Sequence, residues 1–349
     1  MNDRITLDHA ATTVIRPEAA AAMAEGMARW ANPSSQHAEG RAARAALEGA
    51  RDRIKAALGW TGELLFTSGA TEAAAIALGR AKRPVAISAV EHAAVVGAAP
   101  GAAVLPVGAD GLVDAEMPED ALVAIQQVNS ETGVIQPLDA LAERIKTKGG
   151  LLFADCAQGA AKLPLPPADM IAVSAHKFGG PPGIGALLAR DLGALTPVGQ
   201  GQEQGYRPGT ENLPGALGFA AALDAGEPWL DAVAAWREEL DAAVRAAGGV
   251  VICDASPRLA TIASYRMPGV SAAAQLMRFD LGGFAVSAGS ACSSGSLKRS
   301  PVLAAIGLVP EAADQVIRVS LGWTTTAEDV RAFADAWAAL AHEARARAA

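Results

Sequence analysis

Short apolar runs alternate with stretches of helical composition along most of the chain, and this alternation constrains the fold more than any other feature. The runs lie at residues 64–66, 85–88, 122–125, 151–155, 169–173 and 184–188. Continuous apolar runs of this length, separated by helices, are typical of strands that are buried on both faces of a sheet. The pattern therefore predicts an α/β fold in which a mostly parallel sheet lies between two layers of helices.

The pattern changes at about residue 227, where a long amphipathic helix is predicted over residues 229–247. Shorter strands and helices follow it, as in an α+β unit. A chain of 349 residues also exceeds the length of one average domain. We predict a large domain over residues 14–226 and a small α+β domain over 227–349, which also takes in the N-terminal segment 1–13.

Charge and hydropathy argue against several classes of function. The net charge is −8 and the isoelectric point is near 5.2, which argues against a nucleic-acid-binding surface or a polybasic membrane contact. The apolar stretches are too short to cross a membrane, and the N-terminus does not resemble a signal peptide. We therefore expect a cytoplasmic protein that binds neither nucleic acid nor membrane.

The three cysteines differ in their sequence surroundings. They form neither a CxxC pair nor a disulfide framework, so a metal site is weakly supported. Cys156 and Cys253 lie within or at the end of apolar runs and are predicted to be buried small hydrophobes. Cys292 lies among glycine and serine residues, in a predicted loop that can reach into a site. We therefore predict that Cys292 is the reactive thiol.

A lysine follows the predicted strand at 169–173. The segment Ser174-Ala175-His176-Lys177 places a hydroxyl, an imidazole and an amine at the carboxyl end of that strand. Ligands bind beyond this edge in open α/β sheets. A partly desolvated lysine has a lowered pKa and keeps a nucleophilic amine for a Schiff base. Lys177 and Cys292 together indicate chemistry on an amino acid, with sulfur as the transferred atom.

Three further polar residues admit a structural and a functional interpretation. Asp155 ends an apolar run, so it either caps the next helix or pairs with a protonated pyridine nitrogen of an electron-sink cofactor. His92 is either structural or stacks on a flat ring and shuttles a proton. Arg318 lies on a predicted strand, where it either snorkels from an exposed sheet face or binds a carboxylate through two hydrogen bonds.

The segment at 68–72, Ser-Gly-Ala-Thr-Glu, opens a helix directly after a strand. It could be an ordinary helix cap, or its N–H groups could bind a phosphate. Side-chain donors from Ser174, His176 and Thr210 would complete such a phosphate site. With those donors included, the sequence favours the phosphate interpretation.

These segments together resemble the cysteine desulfurases, which are pyridoxal-phosphate (PLP) enzymes of fold type I in the class V aminotransferase group. The resemblance runs nearly end to end. Its motifs lie at residues 7–13, 32–35, 66–72, 91–92, 128–133, 155–158, 174–177, 207–212, 289–292 and 317–322. The Gly-Ser-Ala-Cys form around Cys292 is similar to the iron–sulfur and nitrogen-fixation type of desulfurase.

The resemblance implies a role for each candidate residue. Lys177 would hold PLP covalently, Asp155 would pair with the pyridinium nitrogen, and His92 would stack on the ring. The other residues implied in cofactor binding are Ala70, Thr71, Asn129, Gln158, Ser174, His176 and Thr210, the last supplied by the second subunit of a homodimer. The substrate carboxylate would bind to Asn32 and Arg318.

The implied reaction converts L-cysteine to L-alanine and leaves the sulfur on Cys292 as a persulfide. A protein acceptor such as an iron–sulfur scaffold would then collect the sulfur. The resting enzyme would hold no metal, although Cys292 could serve as a transient iron–sulfur ligand. A selenocysteine lyase or a class V aminotransferase would share Lys177 and Asp155, but a transaminase has no need of Cys292. A non-catalytic scaffold that only binds a partner is the remaining alternative, and the full set of cofactor residues argues against it.

Overall fold

The computed structural model describes residues 4–289 and 299–348, in which strands and helices alternate along most of the chain. The strands are β1 (Ile5–Thr6), β2 (Glu63–Thr67), β3 (Val85–Ser88), β4 (Ala103–Leu105), β5 (Leu122–Ala124), β6 (Leu151–Asp155), β7 (Met170–Ser174), β8 (Gly185–Ala189), β9 (Val250–Val251), β10 (Ile262–Arg266), β11 (Phe284–Ala285) and β12 (Val316–Ser320). The α-helices are α1 (Pro17–Ala28), α2 (Ala38–Ala57), α3 (Ala70–Gly79), α4 (Ala93–Ala98), α5 (Leu138–Thr147), α6 (Leu213–Asp224), α7 (Leu230–Ala246), α8 (Ala272–Leu281), α9 (Pro301–Ala305), α10 (Pro310–Ala313) and α11 (Ala327–Ala348).

The largest sheet in the described ranges has seven strands in the order β2-β8-β7-β6-β5-β3-β4. The strands from β7 to β4 along this order are parallel, whereas β8 is antiparallel to both β7 and β2. A parallel pair needs a crossover connection of about a dozen residues or more, usually with a helix. The connection from β7 to β8 is shorter and holds only a turn of 3-10 helix, Ala175–Lys177, so β8 returns antiparallel. The predicted mostly parallel α/β sheet is confirmed.

Both faces of this sheet are covered by helices. On β7, Ile171 and Val173 belong to a hydrophobic cluster with residues of α1, α2 and α6. Their neighbours Met170 and Ala172 belong to a second cluster, which contains residues of α3 and lies on the opposite face. Successive side chains of a strand point to opposite faces, so a strand buried on both sides reads as a continuous apolar run.

The C-terminal part of the chain builds a second sheet. Within the described residues this sheet has three antiparallel strands in the order β12-β10-β9. Its hydrophobic cluster contains Tyr265, Phe333 and Trp337, together with Leu7 of the N-terminal segment. The segment enters this part through β1, which pairs in parallel with β11. None of the helices described is long and apolar enough to span a membrane.

The two cysteines within the described ranges have different environments. Cys156 is completely buried, as predicted. The prediction for Cys253 is wrong, because this residue is only partly buried. The chain leaves β9 after Val251 and turns at Cys253, where φ is 52°, so the thiol does not continue the buried strand.

Candidate active site

A cavity of about 650 Å³ lies at the carboxyl ends of the parallel strands β3, β5, β6 and β7. Polar side chains that follow or end these strands line it, among them Glu91, His92, Gln126, Asp155, Ser174 and Lys177. Arg318 on β12 lines it from the C-terminal part of the chain, together with Gly289 and Pro301. The cavity therefore lies between the two parts of the chain, and both contribute to its wall.

Lys177 ends the 3-10 turn that follows β7. Its Nζ donates hydrogen bonds to the carbonyl oxygens of Ala10 at 2.6 Å and Ala11 at 2.9 Å. The turn folds tightly because Gly180 lies against Ala175, where an added Cβ would come within 2.7 Å of the Ala175 Cβ. Gly179 has a φ of 91°, a value that favours glycine. The two glycines after Lys177 thus hold its amine beside the N-terminal segment.

Asp155 ends β6 with its carboxyl group in the cavity wall. Its Oδ1 accepts a hydrogen bond from the Ala157 N–H at 2.9 Å. That contact caps a turn, because the residues after Ala157 do not form the α-helix that the structural interpretation required. Burial raises the pKa of Asp155, and the nearby His92 and Lys177 act in the opposite direction. A cationic ring nitrogen in the cavity would act as these two groups do and favour the carboxylate form.

His92 caps a helix, and its ring also lies in the cavity wall. Its Nδ1 accepts a hydrogen bond of 3.1 Å from the Ala94 N–H, so the side chain caps α4. The ring also lines the cavity. Burial lowers the pKa of His92, and the Asp155 carboxylate opposes this shift. With Nδ1 accepting, the proton of the neutral ring is on Nε2.

The N-terminus of α3 forms another part of the wall through Ala70 and Thr71. Its N-cap is Gly69, and among the described residues no side chain caps this helix end. Glu72 in the first turn accepts a hydrogen bond from the Ser68 N–H at 2.5 Å, as the ordinary-cap interpretation expects. The first N–H groups of the helix itself have no side-chain acceptor within the described ranges and remain available for an anion. Ser174 and His176 line the same cavity. Burial and the nearby Lys177 lower the pKa of His176 to about 4.

Arg318 is only 5% exposed, which excludes the interpretation of an exposed snorkelling side chain. It donates hydrogen bonds to the Ser130 carbonyl oxygen at 3.0 Å and to Asp8 Oδ1 at 2.7 Å. Its Nε is buried and has no hydrogen-bond partner within the described ranges. Arg318 thus retains donors for a carboxylate, and the carboxylate of Asp8 lies directly beside them.

The cavity fits PLP on three observations. An uncapped helix N-terminus beside Ser174 suits a phosphate, the buried Asp155 suits a ring nitrogen, and the amine of Lys177 suits an aldehyde carbon. Gln158 also lines the cavity, and its buried Oε1 has no hydrogen-bond partner among the described residues. We conclude that the donor set matches the cofactor implied by the sequence.

Three of the predicted site residues lie outside the described wall of this cavity. Asn129 is buried behind it, where its Oδ1 accepts from the N–H groups of Glu131 and Thr132. Asn32 and Thr210 are exposed. Cys292 belongs to segment 290–298, which lies outside the described residues.

The sequence analysis did not identify two features of the site, the contact between Asp8 and Arg318 and the buried residue Glu91. Asp8 lies in the motif at residues 7–13, but its pairing with Arg318 across 310 residues has no local signal. Glu91 lines the cavity and is fully enclosed, and burial raises its pKa to about 8. Its position directly before His92 and after a buried strand was a signal that could have identified it.

Comparisons with known proteins agree with this geometry. The family model for class-V aminotransferases matches residues 5–333. A cysteine desulfurase of Cereibacter sphaeroides is 37% identical, and the alignment covers 93% of each chain. The cysteine desulfurase IscS of Dictyoglomus turgidum is 34% identical over 95% of this chain and 92% of the relative. The X-ray structure of a NifS-like protein from Rickettsia africae superposes with a TM-score of 0.88 at 30% identity, covering 97% of this chain and 99% of that one.

Proposed function

We propose that this chain, which belongs to the class-V aminotransferase family and is a PLP-dependent cysteine desulfurase, transfers the sulfur of L-cysteine to its own Cys292. The choice of Cys292 as the thiol that accepts the sulfur rests on one observation. The cavity wall includes Gly289 and Pro301, which lie on either side of segment 290–298 along the chain. Only two residues separate Gly289 from Cys292 along the chain, a connection short enough for the Cys292 thiol to reach the cavity.

The cofactor-binding roles rest on the cavity wall for most residues, and on the family resemblance for Asn129 and Thr210. When bound, PLP supplies an electron sink that stabilises negative charge at the substrate Cα. Asp155 would hold a proton on the ring nitrogen, and the N-terminus of α3 with Ser174 would bind the phosphate. The remaining residues that we propose for cofactor binding are Asn129, Gln158, His176 and Thr210. Lys177 would hold the cofactor, and its amine would move the proton at the substrate Cα.

The substrate is oriented through its carboxylate. Arg318 binds this group with N–H donors that Ser130 and Asp8 leave available. We assign Asn32 to the same carboxylate on the basis of the family resemblance alone. His92 lies in the wall close to Asp155, where a neutral imidazole suits stacking on a ring.

Sulfur transfer balances without an external oxidant or reductant. The thiolate of Cys292 attacks the sulfur of the substrate, an S–S bond forms, and the substrate C–S bond breaks. The electron pair of the broken bond stays with the substrate carbon, which takes up a proton and becomes the methyl group of alanine. The enzyme is left with a persulfide on Cys292. We propose that a protein acceptor, such as an iron–sulfur scaffold, collects this sulfur in the cytoplasm.

We further propose a homodimer in which Thr210 completes the phosphate site of the other subunit. Thr210 is exposed and outside the described cavity wall of its own chain, which supports a role in a second copy. Mixed dimers of a Lys177→Ala subunit and a Thr210→Ala subunit should keep one intact site out of two. A protein that is fully active, and whose mass in light scattering is that of a monomer, would contradict the proposal.

We also propose the division of the chain into two domains. The large domain comprises residues 14–226, and the small domain comprises residues 227–349 together with segment 1–13.

The decisive experiment compares Cys292→Ser with the matched variant Cys253→Ser. Cys292→Ser should bind PLP as the wild type does, release little alanine from L-cysteine and carry no persulfide. Cys253→Ser should keep its activity, since this thiol packs against the Ala109 carbonyl rather than in the cavity wall. Mass spectrometry after brief exposure to L-cysteine should show added sulfur on the peptide that contains Cys292. A fully active Cys292→Ser variant would overturn the proposed sulfur transfer.

A further inference from the structure

Lys162 is partly buried on the turn that follows β6, outside the described wall of the cavity. Its Nζ donates one hydrogen bond to the Gln158 carbonyl oxygen at 3.2 Å and another to the Lys177 carbonyl oxygen at 3.0 Å. Gln158 belongs to the turn after β6, and Lys177 belongs to the turn after β7. One ammonium group therefore connects the turn that follows Asp155 with the turn that ends in Lys177.

Within the described ranges, the charge of Lys162 is not matched by an acidic group of its own. The acidic group that acts on it is Glu227, but Arg16 forms a 2.7 Å ion pair with this carboxylate. His9 also faces Lys162, and burial lowers the pKa of His9 to about 4, so its ring is neutral at physiological pH. Arg16, Glu227 and Lys162 together carry a net charge of +1 directly behind the Lys177 main chain.

Lys177 is acted on from the cavity side by Asp155, His92 and His176. The carboxylate of Asp155 favours a protonated Lys177, and a positive charge behind the turn opposes that effect. Burial lowers the pKa of Lys162 to about 8, and repulsion by Lys177 contributes to this shift. Repulsion between two groups is mutual, so Lys162 must disfavour a positive charge on Lys177 to the same extent.

We propose that Lys162 is a positioning residue for Lys177, fixing its main chain by a hydrogen bond and keeping its amine neutral through an adjacent positive charge. The inference rests on the proposed role of Lys177 as the lysine that holds PLP. Lys162 acts below about pH 8, where it carries its own proton. A neutral Lys177 amine is the form that can attack a carbonyl carbon or accept a proton.

The test compares Lys162→Met with Lys162→Arg in the full chain, and uses the exposed Lys146→Met as control. Absorbance of the PLP-loaded protein, titrated from pH 6 to 10, gives the protonation midpoint of the linkage between the cofactor and Lys177. Lys162→Met should raise this midpoint by about one pH unit, a tenfold change in the protonation equilibrium. Lys162→Arg and Lys146→Met should stay within a few tenths of a unit of the wild type.

A second variant guards against loss of packing in Lys162→Met. Glu227→Gln leaves both Arg16 and Lys162 charged, so it should lower the midpoint. If the role of Lys162 were purely structural, Lys162→Met and Glu227→Gln would change the unfolding temperature but not the protonation midpoint. Equal midpoints in wild type, Lys162→Met and Glu227→Gln would overturn the inference.

A separate measurement distinguishes failure of this inference from failure of the proposed function. Borohydride reduction followed by peptide mapping identifies the lysine that holds PLP in the wild type. In the cofactor-free chain, labelling of Lys177 by an amine reagent over the same pH range reports its protonation directly. Lys162→Met should label about tenfold less at neutral pH, whichever lysine borohydride identifies.

Discussion

Replacing Asp8 by asparagine should tighten binding of the substrate carboxylate. Asp8 Oδ1 accepts a 2.7 Å hydrogen bond from Arg318, which we propose as the residue that binds this carboxylate. An asparagine side-chain oxygen can accept the same hydrogen bond and hold the guanidinium in place. The substitution therefore removes a negative charge close to the substrate and preserves the orientation of Arg318.

The size of the effect follows from Coulomb's law. Two carboxylates on the same guanidinium lie about 6 Å apart. The Asp8 side chain is 27% exposed, so solvent screens its charge, and an effective dielectric constant of about 40–80 applies. The repulsion is then about 0.7–1.4 kcal/mol, which corresponds to a change in affinity of about three- to tenfold.

The assay is steady-state alanine release over a range of L-cysteine concentrations. Asp8→Asn should lower KM about three- to tenfold and leave kcat within about twofold of the wild type, because Asp8 acts on a part of the substrate that does not react. Asp280→Asn is the matched control, since it removes a carboxylate that pairs with Arg4 at an exposed site. An unchanged or higher KM in a folded Asp8→Asn variant would refute the reasoning.

Three further predictions concern buried ionisable groups. Arg16→Met should reduce the free energy of unfolding by about 3 kcal/mol in urea titrations, because it removes the ion-pair partner of the buried Glu227 carboxylate. Arg53→Met at an exposed pair should cost less than about 1 kcal/mol. Burial raises the pKa of Cys253 to about 11, so its alkylation in a Cys292→Ser background should be slow at pH 7 and rise about tenfold per pH unit toward pH 10. Burial also raises the pKa of Glu91 from 4.5 to about 8. Between these two pH values the folded protein binds more protons than the unfolded chain, so its free energy of unfolding falls as pH rises. Glu91→Gln should remove about 1 kcal/mol per pH unit of that slope, and an unchanged slope would contradict the assignment.

The large sheet and the position of the site were predictable because both depend on local pattern. Strands that are buried on both faces read as continuous apolar runs, and the polar residues that follow such runs collect at one edge of a parallel sheet. Lys177, Asp155 and His92 were identified in this way, and the cavity contains all three. The family resemblance that the motifs indicated is confirmed by the relatives and by the fold.

The direction of β8 and the role of Arg318 were not predictable, because they depend on contacts that the local sequence pattern does not encode. The antiparallel direction of β8 follows from the length of its connection to β7 rather than from the composition of either strand. Arg318 alternates with apolar neighbours whether it faces solvent or a cavity, so the sequence left its role open. The N-terminal segment lies against β12 through the bridge between Asp8 and Ser320, and Asp8 contacts the Arg318 guanidinium there.

The N-terminal segment sets the relative position of the two parts of the chain at the active site. Leu7 belongs to the hydrophobic cluster around the small sheet, and the next residue, Asp8, holds the guanidinium on that sheet. Ala10 and Ala11 then accept the hydrogen bonds of the Lys177 amine, which belongs to the large sheet. A displacement of this short segment would move the guanidinium and the amine relative to each other. Because catalysis depends on placing the substrate Cα against one amine, the segment contributes to the reaction although none of its own side chains needs to react.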